Sequence, residues 1–171
     1  TTVLVVATLG FFAWQSFYPV QAASGWHVEV VHRNVDKAAS LLPQADGSLL
    51  VSQELDDGRG SILKIARDGE REVLVDKLSK PDGMVAASGG WVFSQEGGLA
   101  PVSLAVDGHV TPLFEGIAVQ GLWNEGNHLY AVEDRKGDGR LLRYDWRSGQ
   151  VDVLRAGLTE AEGLTRCGNG R

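Results

Sequence analysis

The sequence contains little that would support a disulfide, a zinc site or a nucleotide site. Cys167 is the one cysteine among 171 residues, so no disulfide can form within the chain. The four histidines have neither H-x-H nor H-E-x-x-H spacing, and no G-x-S-x-G or phosphate-loop motif occurs. The formal net charge of −6 argues against a nucleic-acid partner, because phosphate binding requires a basic surface.

Charge is also missing from residues 1–24, where no acidic or basic side chain occurs. The apolar stretch that runs to Val20 approaches the roughly 20 residues that cross a bilayer. Small residues at Val20-Gln21-Ala22-Ala23 also resemble a signal-peptidase site. We therefore expect residues 1–24 to be an N-terminal hydrophobic helix, acting as a signal anchor or a signal peptide, with a buried core helix as the third alternative. Either of the first two predicts that residues 25–171 are extracytoplasmic, periplasmic or secreted, with a membrane contact through the N-terminal segment.

The remaining sequence repeats one pattern of four short strands. Its clearest copy, residues 80–114, opens on Pro81-Asp82-Gly83-Met84 and has four β-branched or aromatic segments bounded by glycine turns. Similar copies cover residues 45–75 and 119–154, and another opens at residues 161–170. A period of about 40 residues with four strands per copy is typical of a β-propeller blade.

We accordingly predict an all-β fold, a β-propeller with about three and a half blades of four-stranded antiparallel sheets. The blades are expected at residues 37–77, 78–117 and 118–157, with the start of a fourth at 158–171. Residues 26–32 alternate in polarity, so we predict a strand that closes the last blade. Because no initiator methionine precedes Thr1 and a strand is due after residue 170, we expect the N-terminal part of a longer propeller.

Propeller topology places certain polar residues around the central channel. The residues before the blade-opening glycines, Asp82, Gln120 and Glu162, are expected to rim it and to bind Ca²⁺ or another divalent cation through hard oxygens. The ends of the second strands are expected on the same face as possible substrate contacts. These are Glu54, Glu96 and Glu133, with Gln53 and Gln95 beside two of them. The alternatives are that Asp82 only forms a turn and that the glutamates form a solvated loop edge.

Three motifs, Pro81-Asp82-Gly83-Met84, Glu162-Gly163-Leu164 and the Leu-Tyr-Ala-Val segment at 129–132, resemble the gluconolactonase, regucalcin and luciferin-regenerating-enzyme superfamily. NHL-repeat and strictosidine-synthase-like propellers are also similar. The resemblance covers residues 26–171 and implies a six-bladed propeller with one divalent cation in its channel. It implies Asp82 and Glu162 as ligands. This chain departs from the family pattern in having Leu164 where the family has proline and no match for the family's asparagine ligand.

Two functions follow as expectations. The first is a metal-dependent hydrolase of lactones or related esters, in which the cation polarises the carbonyl and a rim carboxylate is the base. The second is a non-catalytic propeller, tethered at the membrane, that binds a ligand or an unidentified protein partner. The fold permits both, because a fold does not determine a function.

Overall fold

The computed structural model describes residues 2–17 and 22–168, and the chain divides into two compact units, residues 1–34 and 35–171. The first unit contains one helix, α1 (Thr2–Phe17), on which Val5, Phe11 and Trp14 are more than half exposed. Within the described ranges, no helix is both long and apolar enough to cross a membrane. The signal or anchor role stays a prediction, and residues 20 and 21 of the expected cleavage site lie outside the described residues.

Residues 26–32, predicted as a strand, have no regular secondary structure. Alternating polarity permits an extended conformation, but a strand forms only where a neighbouring strand supplies hydrogen bonds. The role of this segment in closing a ring stays a prediction.

The second unit consists of three four-stranded antiparallel sheets, in each of which the strands are ordered as in the sequence. The first sheet contains β1 (Ala38–Pro43), β2 (Leu49–Gln53), β3 (Gly60–Ile65) and β4 (Arg71–Leu78). The second contains β5 (Pro81–Ala87), β6 (Gly90–Gln95), β7 (Leu99–Val106) and β8 (His109–Ile117). The third contains β9 (Val119–Glu125), β10 (His128–Glu133), β11 (Gly139–Asp145) and β12 (Val151–Leu158). These sheets confirm the three predicted repeats. Residues 161–168, the expected start of a fourth, contain no strand.

Apolar side chains between neighbouring sheets form the core. Ile62 and Leu50 of the first sheet pack with Phe93 of the second, and Val92 of the second packs with Leu129 of the third. The middle strand β6 is buried on both faces because the second sheet lies between the other two. On the other face of the first sheet, Val51 and Leu63 pack with Val35. The fourth strands are the most exposed, which places them at the outer edge.

The first strands of the sheets lie side by side, with β5 in contact with both β1 and β9. The closest approach is at Gly83, where an added Cβ would lie 1.9 Å from the carbonyl oxygen of Gln120. That same carbonyl accepts a hydrogen bond from the buried hydroxyl of Ser94 at 3.1 Å. At Gly121, an added Cβ would lie 3.0 Å from the carbonyl oxygen of Glu162. Glycine is therefore required at Gly83 for packing between the sheets.

We expect Gly83→Ala to destabilise the chain by on the order of 3 kcal/mol, because the new methyl group overlaps a backbone oxygen that cannot move independently. The matched control is Gly163→Ala, at the corresponding position of the expected fourth repeat, where nothing lies within 4 Å of an added Cβ. Urea unfolding should show a large shift of the midpoint for the first variant and almost none for the second. Equal shifts would contradict the packing argument.

Candidate cation site at the inner-strand ends

The structure brings the three predicted cation ligands to one end of the inner strands. Asp82 and Gln120 lie near the starts of β5 and β9, and Glu162 lies in the irregular segment that follows β12. The contacts at Gly83 and Gly121 place the backbone of Gln120 beside the second sheet and that of Glu162 beside the third. Asp82 belongs to β5 and Gly83 lacks a positive φ, so the alternative that this segment is only a turn is wrong.

Asp82 is half-buried, and its environment opposes its negative charge. Burial, followed by the nearby carboxylates of Glu54 and Glu96, raises the pKa of Asp82 to about 6, while Lys80 partly offsets the effect. Glu162 contributes in the same direction as the other carboxylates. An additional positive charge beside Asp82, at the start of β5, would therefore be favourable.

Lys80, which the sequence analysis did not single out, joins two of the predicted rim residues. Its Nζ lies 2.5 Å from Glu96 Oε2 and 3.1 Å from Glu54 Oε1. The three side chains are 27%, 18% and 32% exposed, so solvent screens this bridge only partly. The bridge ties the first sheet to the second and neutralises one of the two glutamates. The alternative that Glu54 and Glu96 only form a solvated loop edge is therefore wrong, because both are bound by Lys80.

A repeated backbone hydrogen bond fixes which acidic residues are equivalent. The amide of Glu54 donates to the carbonyl of Lys37 at 2.8 Å, and that of Glu96 donates to the carbonyl of Lys80 at 2.8 Å. In the third sheet the corresponding bond, at 2.9 Å, joins Asp134 to Ala118. Asp134 therefore takes the position that we assigned to Glu133. The spacing alone could not separate these two adjacent acids.

Glu133 is consequently a structural residue, and its prediction as a channel-rim contact is wrong. Its side chain is fully buried, and Arg140 binds both carboxylate oxygens at 2.6 and 2.7 Å. The amide of Ile117 donates to the same carboxylate at 2.9 Å. Burial alone would raise the pKa of Glu133, but the hydrogen bonds from Arg140 and Ile117 outweigh burial and lower it. No oxygen of this carboxylate is accessible to a substrate.

Gln53 and Gln95 occupy the same repeat position as Glu133 and make similar internal bonds. Gln53 donates to the carbonyl of Asp36 at 3.0 Å and accepts a bond from Ser61 at 3.0 Å. Gln95 accepts the amide of Ser79 at 2.9 Å. Both side chains hold the connection that leads into an inner strand, which leaves their predicted contact with substrate without support from the geometry.

The donor set fits a hard divalent cation in kind. Asp82 and Glu162 offer carboxylate oxygens and Gln120 a carboxamide oxygen, and Ca²⁺ takes six to eight such ligands. In residues 2–17 and 22–168, however, no three His, Cys, Asp or Glu side chains converge closely enough to hold a metal ion. Asp82, Glu162 and Gln120 as cation ligands stay a prediction.

A groove of about 450 Å³ lies on the third sheet, away from this site. Trp123, Tyr130, Leu141 and Leu154 form its apolar wall, and Arg166 pairs with Glu125 at its rim. It contains none of the predicted ligands.

Comparison with known proteins decides the fold. The chain matches a chain in a crystal structure of a nidogen/laminin complex with a TM-score of 0.60 and 14% identity, covering 77% of this chain and 51% of that one. The fold is a β-propeller. The computationally designed protein Ika4 is also similar, with a TM-score of 0.56, 16% identity and coverage of 85% and 89%. Identities this low show the fold alone.

The propeller chain spans about half of the nidogen/laminin chain that it matches. No family model and no curated protein sequence matches it. Membership of the gluconolactonase superfamily and the number of blades in a complete ring stay predictions.

We expect Asp82→Asn to stabilise the propeller at pH 7 in the presence of a chelator. Because the folded pKa is raised from 3.8 to about 6, ionised Asp82 destabilises the fold, and stability is lost as the pH rises between these values. The melting temperature should rise by about 3 °C at pH 7 and converge with that of the unsubstituted chain near pH 4. Exposed Asp56→Asn is the control. A pH-independent difference would contradict the assignment.

Arg140→Ala should destabilise the propeller by roughly 2 kcal/mol or more, because it leaves the buried Glu133 carboxylate without its counter-charge. Arg143→Ala on the same strand removes an exposed pair with Asp152 and should cost about 0–1 kcal/mol. The double variant Glu133→Gln/Arg140→Ser copies the neutral Gln53–Ser61 pair of the first blade and should recover part of the loss. Denaturant unfolding measures all three. A double variant less stable than Arg140→Ala would contradict the equivalence.

Proposed function

We propose that the chain belongs to an exported propeller that binds a divalent cation, Ca²⁺ foremost, in its channel and hydrolyses lactones or related esters there. The observation that carries the proposal is the half-buried Asp82 carboxylate, whose charge is opposed by Glu54, Glu96 and Glu162. A cation beside Asp82 would offset the repulsion between its carboxylate and the neighbouring carboxylates. The motif resemblance supplies the lactone or ester class.

Asp82, Glu162 and the carboxamide of Gln120 would hold the cation, which when bound would polarise an ester carbonyl and favour ionisation of water. The charge of Asp82 would attract the cation, and Gly83 would keep this carboxylate beside the next inner strand. A rim carboxylate, Glu54 or Glu96, would accept the proton of the attacking water. Lys80 would hold these two glutamates in place. Further ligands would come from equivalent pre-glycine positions of other blades.

The experiment compares metal content and the calcium-dependent shift of the melting temperature in the full-length protein and in Asp82→Asn. We expect a stoichiometric cation and a shift of several degrees, as ligand excess stabilises the bound fold, with both lost in the variant. Asp56→Asn, an exposed acid outside the site, should keep the response. Lactone and ester hydrolysis is then assayed with and without chelator. Absence of a calcium response would sink this proposal.

The second candidate is a non-catalytic propeller that binds a protein partner and is tethered at the membrane by residues 1–24. The supporting observations are that Lys80 binds both Glu54 and Glu96 and cancels one of their two charges, and that the matched nidogen/laminin chain was crystallised as a protein complex. A bound cation without turnover of any lactone or ester would favour this candidate over the hydrolase.

A further inference from the structure

The residue that precedes the second blade supplies a positive charge to the acids at the junction with the first blade. The position before each blade is held by Lys37, Lys80 and Ala118, with similar positive φ values of 45°, 49° and 50°. At the first junction between blades, the ammonium of Lys80 bridges Glu54 and Glu96. At the next junction the same backbone carries Ala118, whose side chain ends at Cβ and supplies no charge.

Asp134 is the acid at that second junction, and its hydrogen bonding is incomplete. Gln120 Nε2 donates to Asp134 Oδ2 at 3.3 Å, a long bond. Asp134 Oδ1 is shielded from solvent and has no hydrogen-bond partner among the residues that the structure describes. A shielded carboxylate oxygen without a donor is unfavourable, because it loses its bonds to water and gains none in the protein.

We propose that the junction of the second and third blades binds the primary ammonium group of an external ligand, held by Asp134 and Gln120 where the preceding junction has Lys80 Nζ. An ammonium group carries one compact charge and three donors. The ammonium would donate to the Asp134 carboxylate, whose two oxygens exchange places by rotation of the side chain, and to the carboxamide oxygen of Gln120. A divalent cation fits this junction less well, because it needs more oxygen ligands and Glu96 is shared with Lys80. The subsite shares Gln120 with the proposed metal site, but it rests on Asp134 and does not require the metal.

The full-length protein is titrated with n-butylammonium chloride, and the melting temperature and the heat of binding are measured. Tetramethylammonium chloride at equal ionic strength is the reference, because it carries the charge without N–H donors. We expect a response to n-butylammonium that exceeds the response to the reference. Ala118→Lys should weaken this binding at least about tenfold, because its own ammonium fills the junction. It should also melt above Ala45→Lys, which adds the same charge in the exposed turn between β1 and β2.

Asp134→Asn keeps the side-chain shape and removes the charge, and it should weaken n-butylammonium binding to a similar extent. If Ala118→Lys does not fold, the Asp134→Asn variant alone tests the proposal. The proposal is overturned if the two ammonium salts act alike, or if n-butylammonium binds the Asp134 or Ala118 variant as well as the unsubstituted protein. The calcium response should depend on Asp82 and survive in Asp134→Asn, which keeps an oxygen acceptor beside Gln120 and adds no charge. Loss of the calcium response alone therefore contradicts the proposed function and leaves this subsite standing.

Discussion

The close approach of neighbouring inner strands is the constraint on which the rest of this propeller depends. At Gly83 the backbone of the next blade lies so near that a single Cβ would overlap the Gln120 carbonyl. The buried Ser94 hydroxyl binds that carbonyl from the second blade and so fixes the same distance. Because the inner strands approach closely at these glycines, the residue before each glycine lies close to the neighbouring inner strand. The half-burial of Asp82 and the charge repulsion around it follow from this packing.

A second constraint fixes the start of each inner strand, although the side chains there differ from blade to blade. In each blade, the backbone amide of Glu54, Glu96 or Asp134 donates a hydrogen bond to the carbonyl of the residue before the inner strand, with nearly the same length in all three. One position earlier, each blade secures the connection with different chemistry. The first blade uses the neutral Gln53 with Ser61, the second uses Gln95 with a backbone amide, and the third uses the ion pair of Glu133 with Arg140. The backbone hydrogen bond is thus the same in all three blades, whereas the charge of the neighbouring side chain differs from blade to blade.

The sequence predicted the blades because turn residues and β-branched segments recur at a regular interval, and those signals depend on local chemistry alone. The pre-glycine positions of Asp82 and Gln120 followed from the same alignment. The assignment of Glu133 failed because Glu133 and Asp134 are adjacent acids, and only the hydrogen bond to Ala118 separates them. Lys80 was missed because its two partners lie in different blades. Residues 26–32 have no regular secondary structure, and polarity alternation alone does not show whether a partner strand exists, so their role in closing a ring stays a prediction.

The distribution of charge distinguishes acids that serve the fold from acids available to a ligand. Glu133 is fully paired with Arg140, whereas Glu54 and Glu96 share Lys80, so their bridge joins two blades and leaves one negative charge between them. Asp82 lies among other carboxylates with one shared lysine, and Asp134 keeps a shielded oxygen without a donor. Packing gives no reason for a charge at either position, because asparagine has the same shape and avoids the cost of an ionised group. The negative charge at these two positions is the reason for proposing cationic groups from outside the three blades.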